Sequence, residues 1–189
     1  MINDIEKLAY DWAAAKAVAD LDNNYYCETM DVFQARLVRM LNDLLNNSDI
    51  VENKIYTISA IAGEIGNNSF DHNIGSWPDV VGIFFSYDFV EDKFRIVLAD
   101  RGQGVLKTLK NVKPELKDDF DAVRVAFTER ISARAPEVRG NGLKFSKESV
   151  EKENMHLVFI SGNAQADLNK EMKIKQAERN VKGCLAILS

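Results

Sequence analysis

The sequence predicts an α+β fold in which helices cover a mixed, mostly antiparallel sheet. Helical periodicity dominates the first seventy residues, whereas the runs 80–89 and 93–99 are rich in β-branched and aromatic residues. The polar segment between these runs is short enough to turn a hairpin. Neighbouring strands without long crossovers favour antiparallel pairing, so we expect a two-layer α/β sandwich.

The N-terminal residues 4–47 are predicted to form two amphipathic helices. Their apolar positions recur at helical spacing: Ile5, Leu8, Trp12 and Ala15 in the first, and Val32, Leu37, Leu41, Leu44 and Leu45 in the second. We therefore divide the chain into an N-terminal helical extension, residues 1–50, and a main domain, residues 51–189. The leucine-rich face leaves a homodimer or a docked partner open, although packing on the same core is the commoner outcome.

The main domain begins with a third helix and continues into the sheet. Isoleucines at 55, 58, 61 and 65 mark a buried helical face. The strand 93–99 alternates in a way that predicts one solvated or polar side. The long connection 105–138 predicts a lid that contains one helix near 120–131. A further helix at 145–153 and strands at 156–161 and 181–188 complete the expected order.

Composition and charge narrow the class of protein. The chain has 189 residues, 46% of them hydrophobic and 28% charged, which is ordinary for a globular protein. A formal net charge of −5 disfavours a non-specific nucleic-acid binder. Cys27 and Cys184 match no metal-ligand spacing, and the N-terminus lacks the features of a signal peptide. We expect a soluble, cytoplasmic protein that has no membrane segment.

A polar stripe runs beside the isoleucine face of the third helix. Glu64, Asn68 and His72 recur every four residues, and Asn67 and Asp71 widen the stripe. Such a concentration of polar groups next to a buried seam is unusual for a helix that only packs on a core. Taken alone, such a stripe is usually a solvated face, so it leaves open whether this part of the helix meets water or a ligand.

Two glycine clusters follow the stripe in the chain. The first, Asp100-x-Gly102-x-Gly104, comes directly after a predicted strand, and the second, Gly140-x-Gly142-Leu143, precedes a predicted helix. Each cluster alone is common in ordinary turns. The three motifs in this order, with these elements between them, are much more specific.

This ordered set resembles the motifs of the GHKL superfamily of ATPases, which share the Bergerat nucleotide-binding fold. EIGNNSFDH is similar to the N box, especially that of anti-sigma serine kinases, DRGQGV to the G1 box and RGNGLKFS to the G2 box. Lys182-Gly-Cys-Leu185 is similar to the closing Gly-Thr of the family, with Cys184 where threonine is usual. The resemblance covers residues from about 55 to 189.

The resemblance implies roles at the phosphate end of a nucleotide. Asn68 would supply the protein oxygen to Mg²⁺, which keeps several waters and bridges to phosphates. Glu64 would act as general base. His72 would approach the phosphates or cap the helix. Gly140 and Gly142 would hold phosphate oxygens near a helix N-terminus.

At the base end, Asp100 would accept a hydrogen bond from the adenine amino group. Gly102 and Gly104 would let the chain come close to the base. Leu143 and Cys184 complete the expected nucleotide-binding set. Three arginines on the lid are candidates for phosphate contacts: Arg130, Arg134 and Arg139. Two positions depart from the family pattern, Asp71 where a basic residue is common and Lys144 where another glycine is frequent.

These implications predict a regulatory protein that binds ATP and Mg²⁺. One hypothesis is an ATP-dependent serine/threonine kinase, or a slow ATPase, that acts on a protein partner. The alternative is a non-catalytic module whose interactions are gated by ATP. A histidine autokinase is disfavoured because the only histidines, His72 and His156, fit no acceptor role in an N-terminal helix.

Overall fold

The computed structural model describes residues 2–17, 21–131 and 142–189. Within these ranges the chain forms six helices and five strands. In chain order they are α1 (Ile2–Ala14), β1 (Tyr26–Cys27), α2 (Met30–Asn47), α3 (Glu52–Asn73), β2 (Ile83–Val90), β3 (Lys93–Asp100), α4 (Gly104–Lys110), α5 (Asp119–Thr128), α6 (Gly142–Lys152), β4 (Leu157–Leu168) and β5 (Met172–Leu188). The predicted α+β class is confirmed.

The strands form one open sheet in the order β1-β2-β3-β5-β4. Every strand pair in the described part of the chain is antiparallel. The predicted hairpin is present, because β2 and β3 pair continuously from Ile83 opposite Asp100 to Val90 opposite Lys93. The strand β3 is the central strand of the sheet, and Asp100 is its last residue. Asp100 therefore lies where the middle of the sheet ends, next to β5.

The larger core lies between one face of the sheet and the helices α2, α3, α5 and α6. On β3 it is formed by the alternating residues Phe94, Ile96 and Leu98, which pack with buried side chains of α2, α3 and α5. The isoleucine face predicted for α3 is part of this core. Because α3 packs along this face, the neighbouring stripe of the same helix is left beside the end of β3.

The opposite face of the sheet is covered by α1. Ala9, Trp12 and Ala13 of this helix are buried in a second core with Val97 and Ala99 of β3, among other residues. The prediction that β3 has a solvated side was therefore wrong for these two positions. Both N-terminal helices pack on the same sheet, α1 on this face and α2 on the other.

Two cationic side chains from other parts of the chain donate hydrogen bonds at the C-terminal end of α1 and hold it against the sheet. Arg101, which is fully buried, donates to the carbonyl oxygens of Trp12 and Ala17 and to both carboxylate oxygens of Asp79. Lys182 donates to Asp79 and to the Lys16 carbonyl oxygen. Since α1 has no basic residue in its last turn, these cations satisfy carbonyl groups at the negative end of its dipole.

Two features of the C-terminal half were not predicted. The helix α4 begins directly at Gly104, where the sequence indicated only a turn and a lid. The strands β4 and β5 extend well beyond the predicted runs and form a long hairpin, with register shifts around Gly162. The extension is rich in alanine, glutamine and asparagine, which are weak strand formers, although Ala164, Ala166 and Leu168 are buried in alternation.

No helix in the described ranges is both long enough and apolar enough to cross a membrane. Cys27 and Cys184 are both free thiols.

Candidate functional site

A cavity of about 800 Å³, counting its open mouth, lies between α3, α4, α6 and the sheet. Seven of the residues predicted from the sequence line it: Asn68, His72, Asp100, Gly104, Gly142, Leu143 and Cys184. Residues from all three sequence motifs thus meet around one space.

Asp100 forms the floor of this cavity and is only 2% exposed. The Ser69 hydroxyl donates to its Oδ2 at 2.8 Å, and the Gly102 amide donates to its Oδ1 at 2.8 Å. Burial raises the pKa of Asp100 above its usual range, and hydrogen bonds from Ser69 and from the Gly102 and Cys184 amides oppose this shift. The carboxylate is therefore held in one orientation.

Glycines surround this carboxylate because no side chain fits beside it. A Cβ at Gly183 would lie 2.0 Å from Asp100 Oδ1, and one at Gly102 would lie 2.1 Å from Asn73 Nδ2. Gly104 has φ +74°, a conformation that L-residues rarely adopt. Gly102 itself does not line the cavity, so its close approach is to Asn73 rather than to a base.

Asn73 is a buried residue of the site that the sequence reasoning missed. Its Nδ2 donates to the Ser69 carbonyl oxygen at 2.7 Å, and its Oδ1 accepts from the Gln103 amide at 2.8 Å. It therefore ties the end of α3 to the loop after β3. The signal was present, because Asn73 lies four residues after Ser69 at the polar end of the helix.

Glu64, Asn68 and Gly142 meet where α3 contacts the start of α6. A Cβ at Gly142 would lie 2.3 Å from Glu64 Oε2 and 3.3 Å from Asn68 Nδ2. The first amide groups of α6 begin at this point and, together with the helix dipole, favour an anion. Glu64 itself stands beside the lining residues rather than among them.

Some predicted residues do not reach the cavity. Asn67 turns towards α2, where its Oδ1 accepts a hydrogen bond from Gln34 Nε2 at 2.5 Å. Arg130 is exposed and is not among the lining residues. Gly140, Arg134 and Arg139 lie outside the described residues. The polar stripe of α3 thus serves two purposes, helix packing at Asn67 and cavity lining at Asn68 and His72.

The apolar wall of the cavity was not predicted. Ile65, Val105, Leu109, Ile131 and Phe159 contribute to it. Val105 and Leu109 are four residues apart on α4, so they would have been recognised had that helix been predicted. A largely apolar cavity with one buried carboxylate suits a flat heteroaromatic ring that carries a hydrogen-bond donor.

Cys184 also lines the cavity, and Ser161 lies next to it without lining the cavity itself. The Ser161 hydroxyl donates to the Gly183 carbonyl oxygen at 2.9 Å and accepts from the Val105 amide at 3.0 Å. Burial, and next the negative charge of Asp100, raise the pKa of the Cys184 thiol well above its usual range. Cys184 is therefore a neutral lining group at neutral pH and not a nucleophile.

The described residues contain no cluster of three or more histidine, cysteine or acidic side chains that could hold a metal by themselves. Asn68, next to Gly142, offers one amide oxygen at the mouth of the cavity. This arrangement fits a cation that takes most of its ligands from phosphates and water, as Mg²⁺ commonly does in nucleotide sites.

A comparison with protein-family models finds no matching family, and a comparison with curated proteins finds no match.

Proposed function

We propose that the chain binds ATP with Mg²⁺ in the cavity above Asp100 and acts as a regulatory kinase, or slow ATPase, on a protein partner. The observation that carries the proposal is the orientation of the Asp100 carboxylate, which is buried at the floor of a largely apolar cavity. A buried acceptor of this kind selects a base that presents an amino group.

At the base end, adenine would lie between the apolar wall and the glycine-rich floor. Its amino group would donate to Asp100, while guanine would present a carbonyl oxygen to the same acceptor. Two buried acceptors that face each other with no proton between them repel, so the site would discriminate against guanine. This part of the proposal is supported by the Ser69 and Gly102 hydrogen bonds, which keep the carboxylate fixed.

At the phosphate end, the first amides of α6 and the Asn68 side chain would hold phosphate oxygens and Mg²⁺. Asp71, which stands where the family pattern commonly has a basic residue, belongs to α3 but is not among the residues that line the cavity. Mg²⁺, when bound, neutralises the phosphate charge. The chain itself supplies orientation through α3 and α6.

The position of Glu64 favours ATP turnover over simple ATP binding. Its carboxylate lies beside Gly142 at the phosphate end, where it can accept a proton from a water molecule or a partner hydroxyl. If Glu64 serves only to hold α6, the chain is instead an ATP-gated interaction module. Retention of nucleotide binding with no turnover in the wild type would identify this alternative.

The proposal includes a cytoplasmic location and a protein partner. Two free cysteines with no disulfide between them suit a reducing compartment. Because α1 and α2 pack on the chain's own sheet, partner binding would use other surfaces or the exposed sides of these helices.

The test is calorimetric titration of ATP with Mg²⁺ into the wild-type chain and into Asp100→Asn. We expect saturable binding by the wild type and a loss of at least about tenfold in affinity for Asp100→Asn, since one acceptor to the adenine amino group is removed. GTP should bind much more weakly than ATP.

Asp92→Asn is the matched control, because Asp92 is an exposed aspartate in the turn after β2. It should bind ATP like the wild type. A folded wild type that binds no ATP, or an Asp100→Asn variant with unchanged affinity, would overturn the proposal. Measuring phosphate release with Glu64→Gln then separates turnover from binding alone.

A further inference from the structure

A groove lies on the side of α4 that faces away from the cavity. It occupies about 870 Å³, counting its open mouth, between α4, the start of α5 and the β4–β5 hairpin. Gly104 lines both spaces, so the groove and the cavity meet at the start of α4. We call it the basic groove, after the lysines Lys107, Lys110 and Lys182 that line it.

The charges in the basic groove are unbalanced. Lys182 is already paired with Asp79. Lys107 and Lys110 are exposed and have no partner among the described residues. The only carboxylate of the described lining, Asp119, accepts a hydrogen bond from the Asn163 amide. In a chain of net charge −5, this leaves a local surface with two free positive charges.

The groove also offers polar groups that suit a polypeptide. The side chains of Asn111 and Asn180 are exposed at its rim, and Leu106 and Val181 give it a partly apolar floor. The register shifts of the β4–β5 hairpin around Gly162 lie in the same floor. Amide groups that donate and accept hydrogen bonds can contact a peptide backbone, whereas the lysines select for charge.

The helix α4 connects the two spaces. Val105, Thr108 and Leu109 face the cavity, while Lys107 and Lys110 face the basic groove. A ligand on one side of this short helix therefore touches the same helix as a ligand on the other.

We propose that the basic groove is the docking site for an acidic, extended segment of the protein partner. Carboxylates at alternate positions of an extended chain are separated by about 6.6 Å, twice the rise per residue. Lysines three residues apart on a helix are separated by about 5–6 Å at Cβ. Two alternate acidic side chains can therefore meet Lys107 and Lys110 together. The inference deepens the proposed function, because it names the chemistry of the partner that function requires.

Other anionic ligands fit less well. Nucleic acid and anionic membranes need many cations along an extended surface, and the overall charge of the chain repels both. A short acidic peptide needs only a local pair of cations and a groove to lie in.

The test measures the anisotropy of a fluorescein-labelled hexaglutamate peptide at low salt, without nucleotide. The groove variant carries Lys107→Glu with Lys110→Glu, and the control carries Lys93→Glu with Lys170→Glu, two exposed lysines outside the groove. Wild type and control should bind the peptide with similar affinity, and the groove variant about tenfold or more weakly, because like charges then face each other.

Three results would overturn the inference: no saturable binding of hexaglutamate to the wild type, an equal loss in the control, or tighter groove-dependent binding of oligothymidylate or phosphatidylserine vesicles. All substituted lysines are exposed, so thermal melting of the variants should match the wild type. Titrating the same protein with ATP and Mg²⁺ distinguishes a failure of the groove proposal from a failure of the proposed function. Peptide binding by a chain that binds no ATP would leave the groove in place and remove the proposed function.

Discussion

The surroundings of Asp100 favour the protonated form of its carboxyl group. Burial raises its pKa, and three hydrogen-bond donors only partly offset that effect. The folded pKa is above the ordinary value of about 3.9, so the buried charge costs stability at neutral pH and this cost disappears as the pH falls through the raised pKa. Ligand recognition has the opposite dependence, since the acceptor is the ionised form.

We therefore predict that the affinity for the adenine base falls as the pH is lowered, starting above the ordinary carboxyl range of about 4. Adenosine is the suitable ligand because it has no phosphate that titrates. Saturation-transfer NMR across the pH range measures this affinity directly. An affinity that stays constant down to the ordinary carboxyl pKa would show that Asp100 is not the acceptor for the base.

At the scale of elements, the packing of α2 on α3 depends on a glycine. A Cβ at Gly66 would lie 2.2 Å from Cζ of Phe33, whose ring is fully buried between the helices. At Gly63, one turn earlier, the nearest atom is the flexible end of Leu37 at 3.2 Å. These two glycines on one helix face therefore differ in how much room the neighbouring helix leaves.

We predict that Gly66→Ala lowers the free energy of unfolding by about 1–3 kcal/mol, because the ring of Phe33 must move in a packed core. Gly63→Ala is the matched control and should be close to neutral, since a helix-propensity gain of about 1 kcal/mol offsets the milder contact. Urea unfolding of both variants measures the difference. Equal effects at the two positions would mean that α2 can shift away from α3 without cost.

At the scale of the whole molecule, Arg101 joins the two faces of the sheet. It lies between Asp100, which faces the cavity, and α1, which covers the opposite face. The guanidinium of Arg101, with its carbon 5.8 Å from the ring centroid of Trp12, also packs over that ring. The pKa of Asp79 lies well below its usual range, and the largest cause is the hydrogen bonding from Arg101.

We predict that Arg101→Met destabilises the chain by about 3 kcal/mol, because it removes one partner of a buried pair and leaves the end of α1 without its donors. Lys182→Met should cost less than about 1 kcal/mol, since Lys182 is 33% exposed and its charge is screened. Urea unfolding followed by tryptophan fluorescence measures both effects.

The ion pair of Arg101 with Asp79 also makes the stability of the chain depend on pH. The folded pKa of Asp79 is depressed, so its contribution is present above the unfolded value of about 3.9 and is lost as the pH falls below it. Arg101→Met should therefore flatten the loss of stability in acid. An unchanged acid profile, or a larger effect of Lys182→Met, would contradict this assignment.

Part of the cavity lining could be predicted from the sequence, because those residues lie in local motifs. Four-residue spacing placed Asn68 and His72 on one helix face, and a strand followed by glycines placed Asp100 at a strand end. These are properties of single segments, so chain periodicity determines them. The four-residue spacing of Ser69 and Asn73 was visible in the sequence, but their contacts with Asp100 and Gln103 were not, because those partners are distant in sequence.

Some features were decided only by the tertiary structure. The continuously apolar run 96–99 is typical of a strand that is buried on both faces, but only the structure shows that α1 is the element that covers Val97 and Ala99. The sequence placed Arg101 in a loop after a strand, and its burial follows from two distant segments that converge on it, the end of α1 and the segment around Asp79. Local periodicity and turn motifs in the sequence were enough to predict the fold class and seven of the residues that line the cavity. Which helix covers each face, and which polar groups pair, depended on contacts between distant segments, whose free energy no single segment contains.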